Sequence, residues 1–439
     1  MRRIAVIGSG IAGLSTAWHL SEPGAGCRVT LFEANDYVGG HTHTVDVSLP
    51  DGHGERVTHG VDTGFLVFNR RTYPELLKLF AALDVEVAAS EMSFSVQAES
   101  GGLEWSGCSL DTVFAQRRNL LRPRFLGMLA EVLRFNRLCT ALAEAGDETA
   151  LAQGIGDFLD AHRFGQAFRR WYFLPMIGCI WSCPTEQMLA FPVATLIRFC
   201  HNHGLLQVTD RPQWYTVVGG ARNYVQRMLP RIADLRLATP VIGVRRTGLG
   251  AGVQVFSATG AEHFDEVVFA CHSDQTLRIL GAEASQAERA VLGAISYQRN
   301  RAVLHTDASL LPQRRKAWAA WNYEHAPDVD TESSGVCLHY LLNRLQPLPF
   351  AQPVVVSLNP VREPRADQVL ASFDYAHPVF DLGAIAAQRR VGELQGRQHS
   401  WFCGAWTGYG FHEDGLKSGL AVVAGLRERW AGSTDRLAA

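Results

Sequence analysis

The hydrophobic pattern opens with a short apolar run, then an amphipathic one. Ile4 to Ile7 is β-branched and continuous, and apolar residues recur at helical spacing toward Leu20, so the pattern predicts strand, turn and helix. A second short strand, Arg28 to Glu33, follows. Helical spacing returns at Leu76, Leu79, Phe80 and Leu83, in a helix from Glu75 to Leu83 that Thr72-Tyr73-Pro74 starts. From about Ser90 to Trp214 the strand–helix alternation stops, and a mostly helical, aromatic-rich segment is expected. There Pro123 opens a helix whose apolar stripe is Leu121, Phe125, Met128, Val132, Phe135, Cys139 and Leu142. Strand rhythm resumes with a helix from Asn223 to Leu229 and strands at Leu235–Ile242, Val253–Phe256 and Asp265–Cys271. Between roughly 290 and 395, strand-like Ala302–His305 and Val354–Leu358 flank an aromatic group, Trp318 to Tyr323. The stretch Trp401 to Leu420 reads as strand, glycine-rich loop and helix start.

The first turn carries chemistry. Gly8, Ser9, Gly10, Ile11, Ala12 and Gly13 give GxGxxG between strand and helix. Gly8 permits the tight turn, Gly10 lets a pyrophosphate approach the backbone, and Gly13 lets helix pack on strand. The anion then meets free N–H groups at the positive end of the helix. Glu33 closes the next strand twenty positions after Gly13, where a carboxylate accepts ribose hydroxyls, with Ala34 beside it. A second glycine pair, Gly39-Gly40, precedes His41 and implies another close backbone approach to a ligand.

Composition narrows the class. A chain of 439 residues suggests two or three domains. A net charge of −2 argues against nucleic acid as a partner. Only 19% of residues are charged while 47% are hydrophobic and 10% aromatic, a balance that suits an apolar cavity or membrane contact. The longest apolar candidate, Trp171 to Trp181, has eleven residues and contains Pro175, too short to span a bilayer. Arg2-Arg3 precedes a stretch already claimed by the glycine turn, so a cytoplasmic location is expected. The nine scattered cysteines read as buried free thiols, and Cys179 and Cys183 are wrongly spaced for a thioredoxin-type pair. His41 with His43, and His201 with His203, lack a third ligand at a recognisable spacing, so no metal is expected. Six arginines between 117 and 137 face one acid, Glu131; this reads either as a solvated helix packed on the core or as a basic amphipathic surface for anionic lipid. Arg169 to Ile177, cations before an aromatic cluster, is a second lipid candidate that places the chain peripherally on the inner membrane face.

Glu33 with Gly39-Gly40-His41, then Val61-Asp62-Thr63-Gly64-Phe65, then the closing stretch Trp401 to Leu420 resemble, in order, the motifs of the flavin-containing amine oxidase superfamily. That superfamily includes monoamine and polyamine oxidases, protoporphyrinogen oxidase and phytoene desaturases. The chain is also similar to a bacterial group of flavoproteins encoded beside cyclopropane-fatty-acid-synthase-like methyltransferases, a neighbourhood that implies a lipid substrate. The resemblance implies an α/β fold: a Rossmann-type (glutathione-reductase-like) FAD-binding domain with a discontinuous α+β substrate domain, amine-oxidase-like. The FAD-binding parts would be 1–89, 215–289 and 396–439, and the substrate domain 90–214 and 290–395.

Carried over, Gly39, Gly40 and His41 run along the FAD pyrophosphate, with His41 in place of an arginine. Gly64 brings backbone to the isoalloxazine, Val241 contacts the adenine edge, and Gly404, Asp414, Gly415 and Leu416 offer N–H groups to flavin O2 and N1. Three departures bear on the chemistry. Arg301 aligns with a lysine that holds a water at flavin N5, Trp406 replaces a glutamate, and His412 replaces one tyrosine of the monoamine oxidase cage. A histidine there suits either acid–base work near neutral pH or simple packing. The implied activity is FAD-dependent oxidation of an apolar substrate, a fatty acyl chain or lipid, by desaturation or double-bond rearrangement with hydride transfer to N5. The alternatives are oxidation of a small amine or polyamine, and a lipid-escort protein of the same fold without redox activity. No second GxGxxG marks an NAD(P)H site.

Overall fold

The computed structural model describes residues 1–98, 102–146, 153–181, 185–207, 211–246, 252–325 and 336–438. At its centre is a five-stranded parallel sheet, in the order Asp234–Arg236, Cys27–Phe32, Arg2–Ile7, Glu266–Phe269, Ser400–Phe402. The strands come from three distant stretches of chain. Ile4, Ala5, Val6, Leu31, Val267, Val268 and Phe269 are buried, as a parallel sheet covered on both faces requires. The helix Ile11–Leu20 crosses the C-terminal helix His412–Ala438 very closely. Gly419 permits this, because a Cβ there would lie 2.6 Å from the Ala12 carbonyl oxygen.

The expected strand Leu235–Ile242 is two strands. Asp234–Arg236 joins the parallel sheet, whereas Val241–Arg246 joins an antiparallel ribbon with Val253–Ser257 and Gly260–Phe264. The break falls at Ala238, at φ 46°, and at Pro240, which has no N–H to extend a ladder.

A seven-stranded sheet stands beside the first, in the order Val369–Pro378, Tyr297–His305, Val355–Leu358, Cys337–Leu341, Trp321–Glu324, Phe94–Ala98, Leu103–Ser106. The last two strands lie in the segment expected to be mostly helical. Phe94-Ser95-Val96-Gln97-Ala98 and Leu103-Glu104-Trp105-Ser106 each alternate apolar and polar residues, the period-two pattern of a strand, although Ser95 to Ala98 and Leu103 to Ser106 are all buried. The rest of that segment is helical, including Pro123–Ala145.

The long basic helix buries Phe125, Met128, Phe135 and Cys139, but Leu121 precedes it and is 87% exposed. Leu120, Leu126 and Leu133 are exposed on the same region. The second lipid candidate is overturned: Trp171, Phe173 and Ile177 are buried, with Phe173 5.3 Å from Phe135 between ring centroids. Its aromatic rings fill the core of the helical segment. No helix among the described residues is long and apolar enough to cross a membrane. Eight described cysteines are free thiols, and Cys183 lies outside the described residues.

Candidate active site

One cavity of about 1030 Å³ runs from the glycine turn to an aromatic wall in the helical segment. Gly8, Gly10, Ile11, Ala12, Glu33, Ala34, Gly39, Gly40, His41, Gly64, Val241 and Gly404 line it, together with His412. Ser9, Gly13, Asp414, Gly415 and Leu416 are not among the residues that line it.

The turn is built by packing. Gly8 sits at φ 103°, and a Cβ on Gly13 would fall 1.9 Å from the Gly8 carbonyl oxygen, so both positions exclude a side chain. Gly10 differs: a Cβ there meets nothing within 4 Å. It caps a helix that has no side-chain cap and no acid in its first turn, leaving backbone N–H groups turned toward the cavity. Ser9 staples the two glycine turns, since its hydroxyl donates to Glu33 Oε2 at 2.6 Å and accepts from Gly39 N at 3.2 Å. Glu33 Oε2 also accepts from Ser9 N at 2.9 Å and Oε1 from Asn35 N at 2.9 Å. The carboxylate is therefore fixed at the end of its strand before any ribose reaches it.

His41 Nε2 is buried without a hydrogen-bond partner. Its ring faces those of Tyr375, His377 and His272 at centroid distances of 5.2, 5.3 and 6.2 Å. Burial, and then the neighbouring imidazoles, hold His41 well below the usual histidine range. Burial lowers His272 and pushes His377 down to about 4. An uncharged donor cluster with one orphaned nitrogen beside an open helix terminus fits an incoming diphosphate. FAD therefore fits the residues present: Gly10, Gly40 and His41 would hold the pyrophosphate, Glu33 the ribose, and Thr239 with Val241 the adenine end.

Around His412 the geometry is specific. Its ring stacks on Phe65 at 3.9 Å and 13°, and its Nε2 is 2.7 Å from Tyr224 Oη, which is 2.6 Å from Thr42 Oγ1. Burial pushes its pKa down to about 3, so the ring is neutral throughout the physiological range, not poised near pH 7. The next two residues look inward. Glu413 accepts from Glu75 N and Leu76 N, both at 3.0 Å, capping the helix Pro74–Ala82. Asp414 accepts from Tyr409 N at 3.1 Å and Phe411 N at 3.0 Å, closing the glycine-rich loop. Asp62, in the second motif, likewise accepts from Ala221 N at 2.9 Å and Gln346 Nε2 at 2.8 Å, and so fixes Gly64 and Phe65 at the cavity wall.

Arg301 is a correction. Its guanidinium makes two bonds to Glu363, at 2.6 and 2.8 Å, with about half of its side chain in solvent, and it does not line the cavity. Two positions away on the same strand, Arg299 does line it. Sequence reasoning also missed His272, Tyr375 and His377, because nothing local marks them; strand pairing and a strand end bring them to His41. It missed the wall of Cys179, Ile180, Trp181, Phe199, Leu205 and Trp214, drawn from two helices, a turn and a strand whose apolar positions read as ordinary core.

The model of the flavin-containing amine oxidoreductases matches residues 11–298. No curated protein sequence matches. Among solved structures, cyclohexylamine oxidase from Brevibacterium oxydans IH-35A superposes with a TM-score of 0.70 at 16% identity, covering 98% of this chain and 99% of that one. A conjugated-linoleic-acid-producing fatty acid isomerase from P. acnes gives 0.64 at 16% identity, over 96% and 98%. Putrescine oxidase bound to putrescine gives 0.66 at 15% identity, over 97% and 99%. At such identities the likeness is one of fold.

Proposed function

The chain belongs to the flavin-containing amine oxidoreductase family and is an FAD-dependent oxidoreductase, and from that premise we propose that its substrate is the apolar chain of a fatty acid or lipid, which it desaturates or whose double bond it moves. The observation that carries this reading is the wall at the far end of the cavity. Cys179, Ile180, Trp181, Phe199, Leu205 and Trp214 offer no charge there. His203, stacked on Phe199 beside them, is pushed by burial down to about 4 and is neutral. An ammonium ion against these six side chains would lose its hydration with no carboxylate among them to replace it, the carboxylates lining the cavity among the described residues being Glu33 and Asp374, whereas an alkyl chain gains about 0.8 kcal/mol per buried methylene. That a solved fatty acid isomerase shares the fold supports this reading.

FAD supplies the two-electron acceptor. The chain's own residues do the rest. Phe65, held flat against His412, and Phe411, stacked on Phe199 at 4.8 Å, restrict an alkyl chain to one plane. His412 is a positioning residue: it is neutral, its Nε2 is engaged by Tyr224, and its ring braces Phe65.

A lipid substrate needs a route from the bilayer. Leu120, Leu121, Leu126 and Leu133 project from the region that also carries Arg122, Arg124 and Arg137, and we assign this face to an anionic lipid surface. The test of substrate is anaerobic mixing of the yellow protein with unsaturated fatty acids, phospholipids and amines, reading flavin bleaching and, by mass spectrometry, the double bonds of the recovered lipid. Lipid-dependent bleaching or a shifted double bond is expected. Bleaching by amines alone would overturn the reading.

A further inference from the structure

A second cluster of reactive side chains lies on the other face of the seven-stranded sheet. Trp321 and Tyr340, cross-strand partners, line the cavity. Alternation along the same strands sends Glu324, Cys337 and His339 to the opposite face, where Glu324 pairs with Cys337. His339 and Cys337 are buried, and Glu324 is 14% exposed. Their donor atoms converge: His339 Nε2 is 2.9 Å from Glu324 Oε2 and 3.6 Å from Cys337 Sγ, and Cys337 Sγ is 4.0 Å from Glu324 Oε2.

We propose that Glu324, Cys337 and His339 form a binding site for a divalent transition-metal ion, with zinc the ion this donor set fits. Tetrahedral zinc, with Zn–S near 2.3 Å and Zn–N and Zn–O near 2.0–2.1 Å, sets its ligand atoms about 3.6 Å apart for S and N, about 3.5 Å for S and O and about 3.3 Å for N and O. The observed separations need adjustment by no more than about half an ångström, so the site is formed before an ion arrives.

The surrounding hydrogen bonds orient the ligands. Asp307 N donates to His305 Nδ1 at 3.1 Å, which leaves His305 Nε2–H to donate to Ser357 Oγ at 2.7 Å. The same hydroxyl accepts from His339 Nδ1 at 2.6 Å and thereby turns Nε2 toward Glu324 and Cys337. Arg362 donates to Glu324 Oε1 at 3.0 Å, which leaves Oε2 facing the cluster. On binding, the Cys337 thiol gives up its proton and His339 gives up the Nε2 proton that it holds toward the Glu324 carboxylate, both to solvent; thiolate, carboxylate, neutral imidazole and ion together carry no net charge. Three ligands among the described residues leave a fourth position for water or a further donor. Arg362, half exposed, marks the side from which an ion enters.

The test uses the full-length flavoprotein, stripped with a chelator and equilibrated with zinc, with metal content read by emission spectrometry. One equivalent is expected. Cys337→Ala removes a buried thiol and leaves the Glu324–His339 pair in place, so it is expected to fold, retain flavin and lose the equivalent. Ser357→Ala keeps all three ligands and is expected to weaken binding about 10- to 100-fold. Failure of the wild type to take up zinc, or Cys337→Ala binding as the wild type does, would overturn the proposal. Neither outcome touches the substrate assignment, because the two sites lie on opposite faces of the sheet.

Discussion

Replacing Gly10 by alanine separates cofactor recognition from folding. Gly10 has φ −63° and ψ 175°, extended backbone that alanine adopts freely, and a Cβ placed there meets no atom within 4 Å. Removing a glycine at a compatible position raises stability by about 0.4–1 kcal/mol through the unfolded chain, so the apoprotein should be as stable as the wild type or slightly more so. The free space is the cavity floor, above the uncapped N–H groups of the first helical turn. A methyl group there holds a phosphate oxygen beyond hydrogen-bonding distance. Each charge-assisted hydrogen bond lost is worth about 1.5–3 kcal/mol, so one such loss weakens FAD about 10- to 150-fold. Gly13→Ala is the control with the opposite signature: its Cβ would lie 1.9 Å from the Gly8 carbonyl oxygen, so strand and helix must separate and stability falls. FAD titration of the apoproteins by flavin fluorescence, beside urea unfolding, reads both effects. Wild-type FAD affinity in Gly10→Ala, or a loss of stability matching that of Gly13→Ala, would refute this account of the turn.

Glu33→Ala strands the buried N–H of Ser9, at about 1–3 kcal/mol, and frees that of Asn35 to water, so both flavin retention on dialysis and the urea midpoint should drop. Arg301→Ala should leave the rate of flavin reduction within twofold of wild type, because its exposed pair with Glu363 lies outside the cavity and is worth about 0–1 kcal/mol; a tenfold loss would return Arg301 to the site. His203, His305 and His377 have folded pKa values near 4 and His412 near 3, so the unfolded chain binds more protons on acidification. Their stabilisation is full above the unfolded value near 6.5 and is lost as pH falls toward 4, on the order of 2 kcal/mol for each at pH 5, and urea midpoints between pH 7 and 5 should show the decline. Leu121→Glu with Leu126→Glu alters two exposed side chains and should abolish low-salt pelleting with anionic vesicles at unchanged thermal stability; undiminished pelleting would remove this face from lipid binding.

What could be read from the residues depended on whether the signal was local. The N-terminal turn was legible because strand, three glycines and Glu33 fall within one short stretch, and each has a separate steric or electrostatic reason to be there. The break at Ala238 to Pro240 was not, since the apolar residues on either side are continuous in pattern and only the left-handed residue reveals the change of sheet. Strands Phe94–Ala98 and Leu103–Ser106 do carry a local signal, the alternation Phe-Ser-Val-Gln-Ala and Leu-Glu-Trp-Ser, but each run is short and lies beside a much longer helical one. Their polar members are buried rather than wet: Ser95 bonds to Asn322, Gln97 to the Leu310 carbonyl, Glu104 to Gln313 N and Ser106 to the Phe94 carbonyl.

The site shows the same division at the level of single side chains. His412 could be placed beside the cavity from the closing motif, but its protonation state could not, because that is set by Phe65, Tyr224 and the loss of water, none of which adjoins it in sequence. Arg301 erred in the opposite direction, through a position that depends on which side of a strand meets the cavity; its pairing with Glu363 settles that, and Glu363 lies 62 residues away. The same distance effect hid the histidine cluster. His41, His272 and His377 come from a turn, a strand end and an edge of the second sheet, and burial first of all holds each of them below the usual histidine range. These imidazoles that line the cavity are thus lowered by burial, and the six side chains of its far wall carry no charge, an electrostatic character that no single motif announces.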